Sequence, residues 1–195
     1  ESEMPDAALA LADIADDGMF IEVKKNYAKS VVTGFIKLDG MTIGAVANRT
    51  AVFDENGKAA EKFDAVLTSR AAKKAASFVT YCDAFDIPVL TLTNVKGFEA
   101  TVAAEKGIAI ASAKLTYAFA NADVPKVNVI TGEAYGSAYV SMNSKSLGAD
   151  LVYAWPTASI GMMDSQLAAK IMYADEIAAA SDVAATVSEK AAEYA

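Results

Sequence analysis

The sequence predicts an α/β protein with mostly parallel strands and surrounding helices. Short runs of β-branched and aliphatic residues alternate with longer segments whose apolar residues recur every three or four positions. The order is strand, helix, strand, helix with few long linkers, which calls for right-handed crossover connections. A chain of 195 residues, 54% hydrophobic, can bury a core of its own. No compositional break marks a boundary, so residues 1–195 read as a single domain.

Pro5 to Asp16 reads as a short helix, closed by Gly18 at its C-terminal end. "MFIEVKK" follows as a strand. In "SVVTGFIKLDGMTIGAVAN" two apolar runs meet at Asp39-Gly40, a hairpin signal. The polar "RTAVFDENGKAAEKFD" reads as a loop. From Thr68 to Phe85, Ala71, Ala75, Phe78, Cys82 and Phe85 fall on one helical face, with Thr68 or Ser69 as the N-cap. "IPVLTLTNV" is a buried strand that ends at Lys96-Gly97-Phe98. A second helix covers roughly Ala104 to Ala122, with its stripe at Ile108, Ala111, Leu115, Ala118 and Ala122. "PKVNVIT" is the next strand, and a helix runs from about Gly136 to Leu147. "ADLVYAWPTASIGM" reads as two short strands broken at Trp155-Pro156. Asp164 caps a helix carrying Leu167, Ile171, Ala174 and Ala178, and Ser181 opens a last, Ala-rich helix.

Composition removes several function classes. Lys plus Arg is 17 against 25 Asp plus Glu, a net charge of −8, with no basic run to track phosphates, so nucleic acid is not an expected partner. Histidine is absent and Cys82 is the only cysteine, which leaves no Ser-His or Cys-His couple, no usual zinc site and no disulfide. Cys82 sits on a helix stripe and reads as core. One thiol without a disulfide framework points to the cytoplasm. The longest uncharged stretch, Leu151 to Met163, contains Pro156 and is shorter than the ~20 residues a bilayer requires.

Two strand ends carry the chemistry, "LTNVKGFEA" and "VITGEAYGSAYV". Each leaves a strand through small residues and soon starts a helix, whose first turn offers unpaired backbone N–H groups. Side by side, two such ends could stabilise a developing oxyanion. Small residues at a strand–helix junction also serve close packing, and spacing alone leaves both readings open. Ser137 lacks the flanks of a nucleophile elbow and any histidine to activate it, and a Ser–Lys pair with Lys145 stays an alternative. Glu99, Glu105 and Glu133 are acid–base candidates that read equally as solvated charges.

The residues also carry a resemblance. "DDGMFIEVKKNYAKSVVTGFIKLDGMTIGAVAN", "KKAASFVTYCDAFDIPVLTLTNVKGF" and "AKLTYAFANADVPKVNVITGEAYGSAYVSMNSKSLGADLVYAWPTASIGMM" together resemble the C-terminal domain of the carboxyltransferase subunit of biotin-dependent acyl-CoA carboxylases and decarboxylases, in the crotonase superfamily. The resemblance implies a crotonase/ClpP-like spiral of repeated ββα units. It implies transfer of a carboxyl group between biotin on a carrier protein and the α-carbon of an acyl-CoA, of the propionyl, methylmalonyl, acetyl or glutaconyl class. In that family the freed ureido nitrogen takes the α-proton, so the cofactor is its own base and no metal is needed. The family carries one oxyanion site per half, and the C-terminal half's faces the biotin ureido oxygen. Carried onto this sequence, its backbone donors are Gly136, Ser137 and Ala138, with Gly97 and Phe98 at the neighbouring strand end. Gly97, Phe98, Tyr135 and Ser137 would contact biotin, and Tyr139 and Val140 would line the acyl pocket. Lys96 stands where the family has proline, and Ser137 stands where it has a second glycine, adding a CH₂OH to the approach.

The implied partners are the biotin carboxyl carrier protein, the N-terminal carboxyltransferase half and further copies of the chain. A membrane partner is not implied. That N-terminal half has no counterpart in these residues, so a cut domain or a separate product needing a partner is expected. Two other readings compete: a self-sufficient crotonase-type hydratase, isomerase or decarboxylase using one of the three glutamates, and an assembly subunit without catalysis.

Overall fold

Asp6 starts the first helix, α1 (Ala7–Ile14), by accepting a hydrogen bond from the Ala8 N–H at 3.0 Å. The computed structural model describes residues 4–194. They gather into two compact units, one running through Ile160 and the other beginning at Gly161. The first helix ends at Ala15, earlier than the glycine signal suggests, because Gly18 belongs to a separate 3₁₀ turn, Asp16–Gly18.

The first unit is built on one mixed sheet. Strand β1 (Ile21–Val23) pairs antiparallel with β2 (Val31–Leu38), and β2 pairs antiparallel with β3 (Met41–Asn48) along its whole length. Asp39 and Gly40 both take positive φ, 52° and 75°, the mirror-image turn that suits right-twisted strands. The segment read as a polar loop is a second hairpin, β4 (Ala51–Phe53) with β5 (Ala59–Lys62). Its turn is held locally, since the Asp54 carboxylate accepts from the N–H groups of Asn56 and Lys58, both at 2.9 Å.

After β6 (Val66–Leu67) the Thr68 hydroxyl caps α2 (Ser69–Ala84), accepting from Ala71 N–H at 3.1 Å. Strand β7 (Val89–Val95) lies parallel to β3, and β8 (Gly97–Phe98) returns to pair with β6. The long helix expected from Ala104 is two helices, α3 (Val102–Glu105) and α4 (Ile108–Asn121), divided at Gly107. Strand β9 (Lys126–Tyr135) lies parallel to β7. Helix α5 (Gly136–Ser141) stops well before Leu147, which falls in a 3₁₀ turn, Lys145–Leu147. Strand β10 (Leu151–Ala154) pairs parallel with β9, and β11 (Ser159–Gly161) also joins it. Sheet order is β1-β2-β3-β7-β9-β10, antiparallel at one end and parallel at the other.

The sheet's two faces carry separate cores. On one face α2, α4 and α5 bury Val46, Leu67, Val79, Leu115, Phe119 and Met142. Cys82 is in this core, as its stripe position predicts, and burial pushes its thiol up to about 12. On the other face α1 covers Val32, Ile36, Ala45 and Leu92 through Ala7 and Leu11. Arg49 fastens this end. Its Nε donates to Lys29 O at 2.9 Å, and its two terminal nitrogens face Asp6 at 3.6 Å and Glu22 at 3.5 Å.

The second unit holds α6 (Ser165–Met172), α7 (Ala174–Ala179) and α8 (Val183–Tyr194). Asp164 caps α6 as expected, accepting from Leu167 N–H at 2.9 Å, whereas the last helix is capped by Asp182 and not Ser181. The predicted stripe fails here. Leu167 and Ile171 are exposed, and Ala168, Ala169, Ile177, Val187 and Ala191 are the buried residues. Within α6 the small Ala168 and Ala169 are buried in place of Leu167 and Ile171, and the break at Tyr173 puts Ala174 and Ala178 on a separate helix. Among the described residues no helix is long and apolar enough to cross a membrane.

Candidate functional site

The parallel strands β7 and β9 end beside each other, and each hands over to one of the two small-residue stretches. Strand β7 runs into β8, where the flanking amides are spoken for: Lys96 N–H donates to Ala65 O at 2.8 Å and Glu99 N–H to Leu67 O at 3.1 Å. These bonds peg the turn around Gly97 and Phe98 to β6. Strand β9 turns into α5 through Gly136, whose φ of +57° reverses the chain at a cost only glycine escapes. No side chain caps the first turn of α5. Helix α5 lies against β8, so the two stretches predicted to cooperate are brought together. Within them Ala138 is 1% exposed, Gly97, Phe98, Gly136 and Tyr139 are half-buried, and Ser137 and Val140 face outwards.

A buried polar layer, unforeseen in the sequence reading, holds α5 down on the sheet. Thr93 donates to the Asn128 side-chain carbonyl at 2.8 Å, and the Asn128 amide donates to Met142 O at 3.2 Å. Asn143, at φ +56°, reaches Thr91 Oγ1 at 3.0 Å and Val127 O at 3.2 Å. The signal was present: Thr91, Thr93 and Asn128 interrupt apolar strands at same-face positions. A second tie comes from α4, where the Ser112 and Thr116 hydroxyls lie 3.3 and 3.1 Å from Ser141 Oγ. Ser141 in turn donates to Ser137 O at 3.0 Å.

The remaining candidates are dispersed. Lys145 Nζ donates to Ala149 O at 3.1 Å and Asp150 O at 2.8 Å, which turns it to a local backbone site and away from any pairing with Ser137. Glu105 is exposed on α3, and Glu99 and Glu133 are half-buried on separate strand ends. None of the three carboxylates makes a side-chain hydrogen bond or ion pair among the described residues. Tyr135 is buried and donates to Ser159 Oγ at 2.7 Å, tying the exit of β9 to β11. Tyr139 leans on the helical-face core beside Phe98, and burial raises its phenol above the ordinary value. Among the described residues no cluster of His, Cys, Asp or Glu could hold a metal ion. A cavity of about 870 Å³ opens at the carboxyl ends of the parallel strands, walled by Asn94, Thr131, Glu133, Trp155 and Ser159. Gly97, Phe98 and the start of α5 are not among its walls.

Known proteins give this geometry its context. The propionyl-CoA carboxylase beta chain of Roseobacter denitrificans is 44% identical over 165 residues, 84% of this chain and 30% of that one. The methylmalonyl-CoA carboxyltransferase 12S subunit of Propionibacterium freudenreichii is 41% identical over 185 residues, 94% of this chain and 33% of that one. This chain therefore spans about a third of the length of the curated relatives it matches. The solved transcarboxylase 12S hexamer, with methylmalonyl-coenzyme A and methylmalonic acid bound, superposes with a TM-score of 0.83 at 41% identity, covering 97% of this chain and 35% of that one. The beta subunit of P. aeruginosa geranyl-CoA carboxylase shares the fold at 24% identity with a TM-score of 0.81. These neighbours set the chain in the crotonase-like α/β class. With the carboxyl transferase domain matching residues 3–195, the chain belongs to the carboxyl transferase domain family.

Proposed function

We propose that this chain is the C-terminal domain of a biotin-dependent acyl-CoA carboxyltransferase and supplies the biotin side of a composite active site. One observation carries the reading. The uncapped first turn of α5 lies against β8, so that the amides of Gly136, Ser137 and Ala138 start beside Gly97 and Phe98. A carbonyl-type oxygen suits that place, because peptide N–H groups favour an oxygen that gains negative charge and need no proton of their own. Biotin supplies the ureido group that carries the carboxyl. The chain's own residues bind and orient: Ala138 presents an amide without bulk, Ser141 holds the Ser137 carbonyl at 3.0 Å, and Phe98 and Tyr139 form the apolar support. Tyr139 and Val140 adjoin the acyl group, which is of the propionyl or methylmalonyl class by kinship. The partners on this reading are the biotin carrier protein, the N-terminal carboxyltransferase half and further copies of the chain, in the cytoplasm.

The test is carboxyl exchange between acyl-CoA and biotin when the chain is combined with its N-terminal half. Replacing Ala138 with leucine overfills the core in which its 1% exposed methyl sits and displaces the amide that the residue carries. Exchange is expected to fall by about two to three orders of magnitude, the scale for losing an oxyanion donor. Exchange that survives in a folded Ala138→Leu protein removes the donor assignment.

A second reading rests on Glu133, which lines the 870 Å³ cavity. It would make the chain a self-sufficient acyl-CoA enzyme with a carboxylate acid–base. Turnover without biotin, lost in Glu133→Gln, would establish it.

A further inference from the structure

The end of β9 does not follow the register of the sheet. Thr93 faces Ile130, and two steps later Val95 faces Ala134 where regular parallel pairing would bring it to Gly132. Strand β9 thus takes up two extra residues against β7, roughly 7 Å of strand at about 3.3 Å per residue. An offset of two preserves which face each side chain occupies, so the core alternation survives while the strand end is drawn back.

Asn94 fills this irregularity. Its side-chain oxygen accepts from Glu133 N–H at 3.0 Å, and its own N–H donates to Asn48 Oδ1 at 3.0 Å, a ladder across the ends of β3, β7 and β9. The fit is close on the far side. A Cβ at Gly132 would lie 2.6 Å from the Asn94 oxygen, so the looped-out residues pass only because position 132 has no side chain. Four residues later Gly136 begins α5.

We propose that Asn94 is a positioning residue for carboxyl transfer: by holding the two-residue offset of β9 it sets the start of α5 beside β8. The inference rests on the proposed function, since it concerns the aim of the α5 amides, yet Asn94 belongs to neither α5 nor β8.

The experiment compares Asn94→Ala, Asn94→Asp and Gly132→Ala in the protein combined with its N-terminal half, using biotin as the carboxyl acceptor and methylmalonyl-CoA as the donor, which leaves propionyl-CoA. Asn94→Ala leaves the Glu133 N–H without its acceptor, and kcat should fall about 30-fold or more with KM for the acyl-CoA changing less than about threefold, since misplacement by an ångström costs on that scale. Asn94→Asp keeps an acceptor oxygen and should hold kcat within about fivefold of the parent. Gly132→Ala keeps Asn94 but crowds it, and should repeat the Asn94→Ala split; it stands in if Asn94→Ala does not fold. Unchanged kcat in a folded Asn94→Ala or Gly132→Ala protein overturns the proposal. A crystal structure of either variant decides the offset without reference to turnover: loss of the Val95–Ala134 pairing supports it, and retention refutes it. Lack of biotin-dependent exchange in the unaltered protein would instead sink the functional reading, and the register would still be decided.

Discussion

Replacing Arg49 with methionine tests how the first unit is held together. Arg49 is 4% exposed and meets two carboxylates whose side chains are 7% and 8% exposed, Asp6 and Glu22. Its Nε also satisfies Lys29 O at 2.9 Å. Methionine fills similar space but leaves two buried carboxylates and a carbonyl uncompensated. Removing one partner from a buried ion pair costs about 3–5 kcal/mol, more than the pair itself contributes, because the remaining charge keeps its desolvation cost. We expect a loss near 4 kcal/mol, which for a unit of this size lowers the melting temperature by roughly 10 °C. The assays are urea and thermal unfolding followed by the fluorescence of Trp155, the only tryptophan, which lies in the first unit. Adding Asp6→Asn should return about 1–3 kcal/mol by removing one stranded charge, a coupling the double-mutant cycle reads directly. A single variant that melts within about 2 °C of the parent would refute the account, and so would strict additivity of the two changes.

Two further outcomes follow from the core. Lys74 is 1% exposed on α2, its ammonium bonded to Tyr27 O at 2.9 Å and Val31 O at 2.7 Å, and burial lowers its pKa from 10.5 to about 8. Below pH 8 the folded protein bears a buried charge; between 8 and 10.5 it has shed a proton that the unfolded chain still holds, so stability rises with pH by up to ~3 kcal/mol. Cys82, pushed to about 12, acts in the opposite sense above pH 9, so the difference between the parent and Lys74→Met isolates the lysine; the same slope in both would contradict the assignment. Leu115→Ala, at a fully buried site of α4, should cost about 2–5 kcal/mol, against less than about 0.5 for Leu167→Ala on the exposed face of α6, both read from urea midpoints.

Much of the fold was legible because its causes are local. Asp39-Gly40 announces a turn whatever surrounds it, since both residues tolerate positive φ. Thr68 and Asp164 cap helices through bonds reaching only three residues on. The stripe of α2 reads correctly from Ala71 to Cys82, where the helix is unbroken, but Phe85 lies just past its last residue, Ala84, and is exposed. The same reasoning failed where a break lay inside the periodic segment, at Gly107 and Tyr173, and where a polar stretch made its own hairpin at Ala51–Phe53. At the site, small residues and a strand–helix switch marked the two stretches, the family resemblance singled out Gly97, Phe98 and Gly136–Ala138 within them, and the fold puts α5 against β8. The asparagines beneath them went unread, because a polar residue in an apolar run signals its purpose only once its partner strand is known.

The sequence by itself determined the principal strands and helices, their order, the Asp39-Gly40 turn, the Thr68 and Asp164 caps, and the acidic, histidine-free chemistry available to the chain. Those depend on neighbours within a few residues. Tertiary structure alone decided that β9 runs two residues out of step with β7, that Asn94 occupies the gap, and that Lys145 is spent on backbone carbonyls. The physical reason is that register, and with it the direction of every amide at a strand end, is set by pairing between segments more than thirty residues apart, where no local pattern can record it.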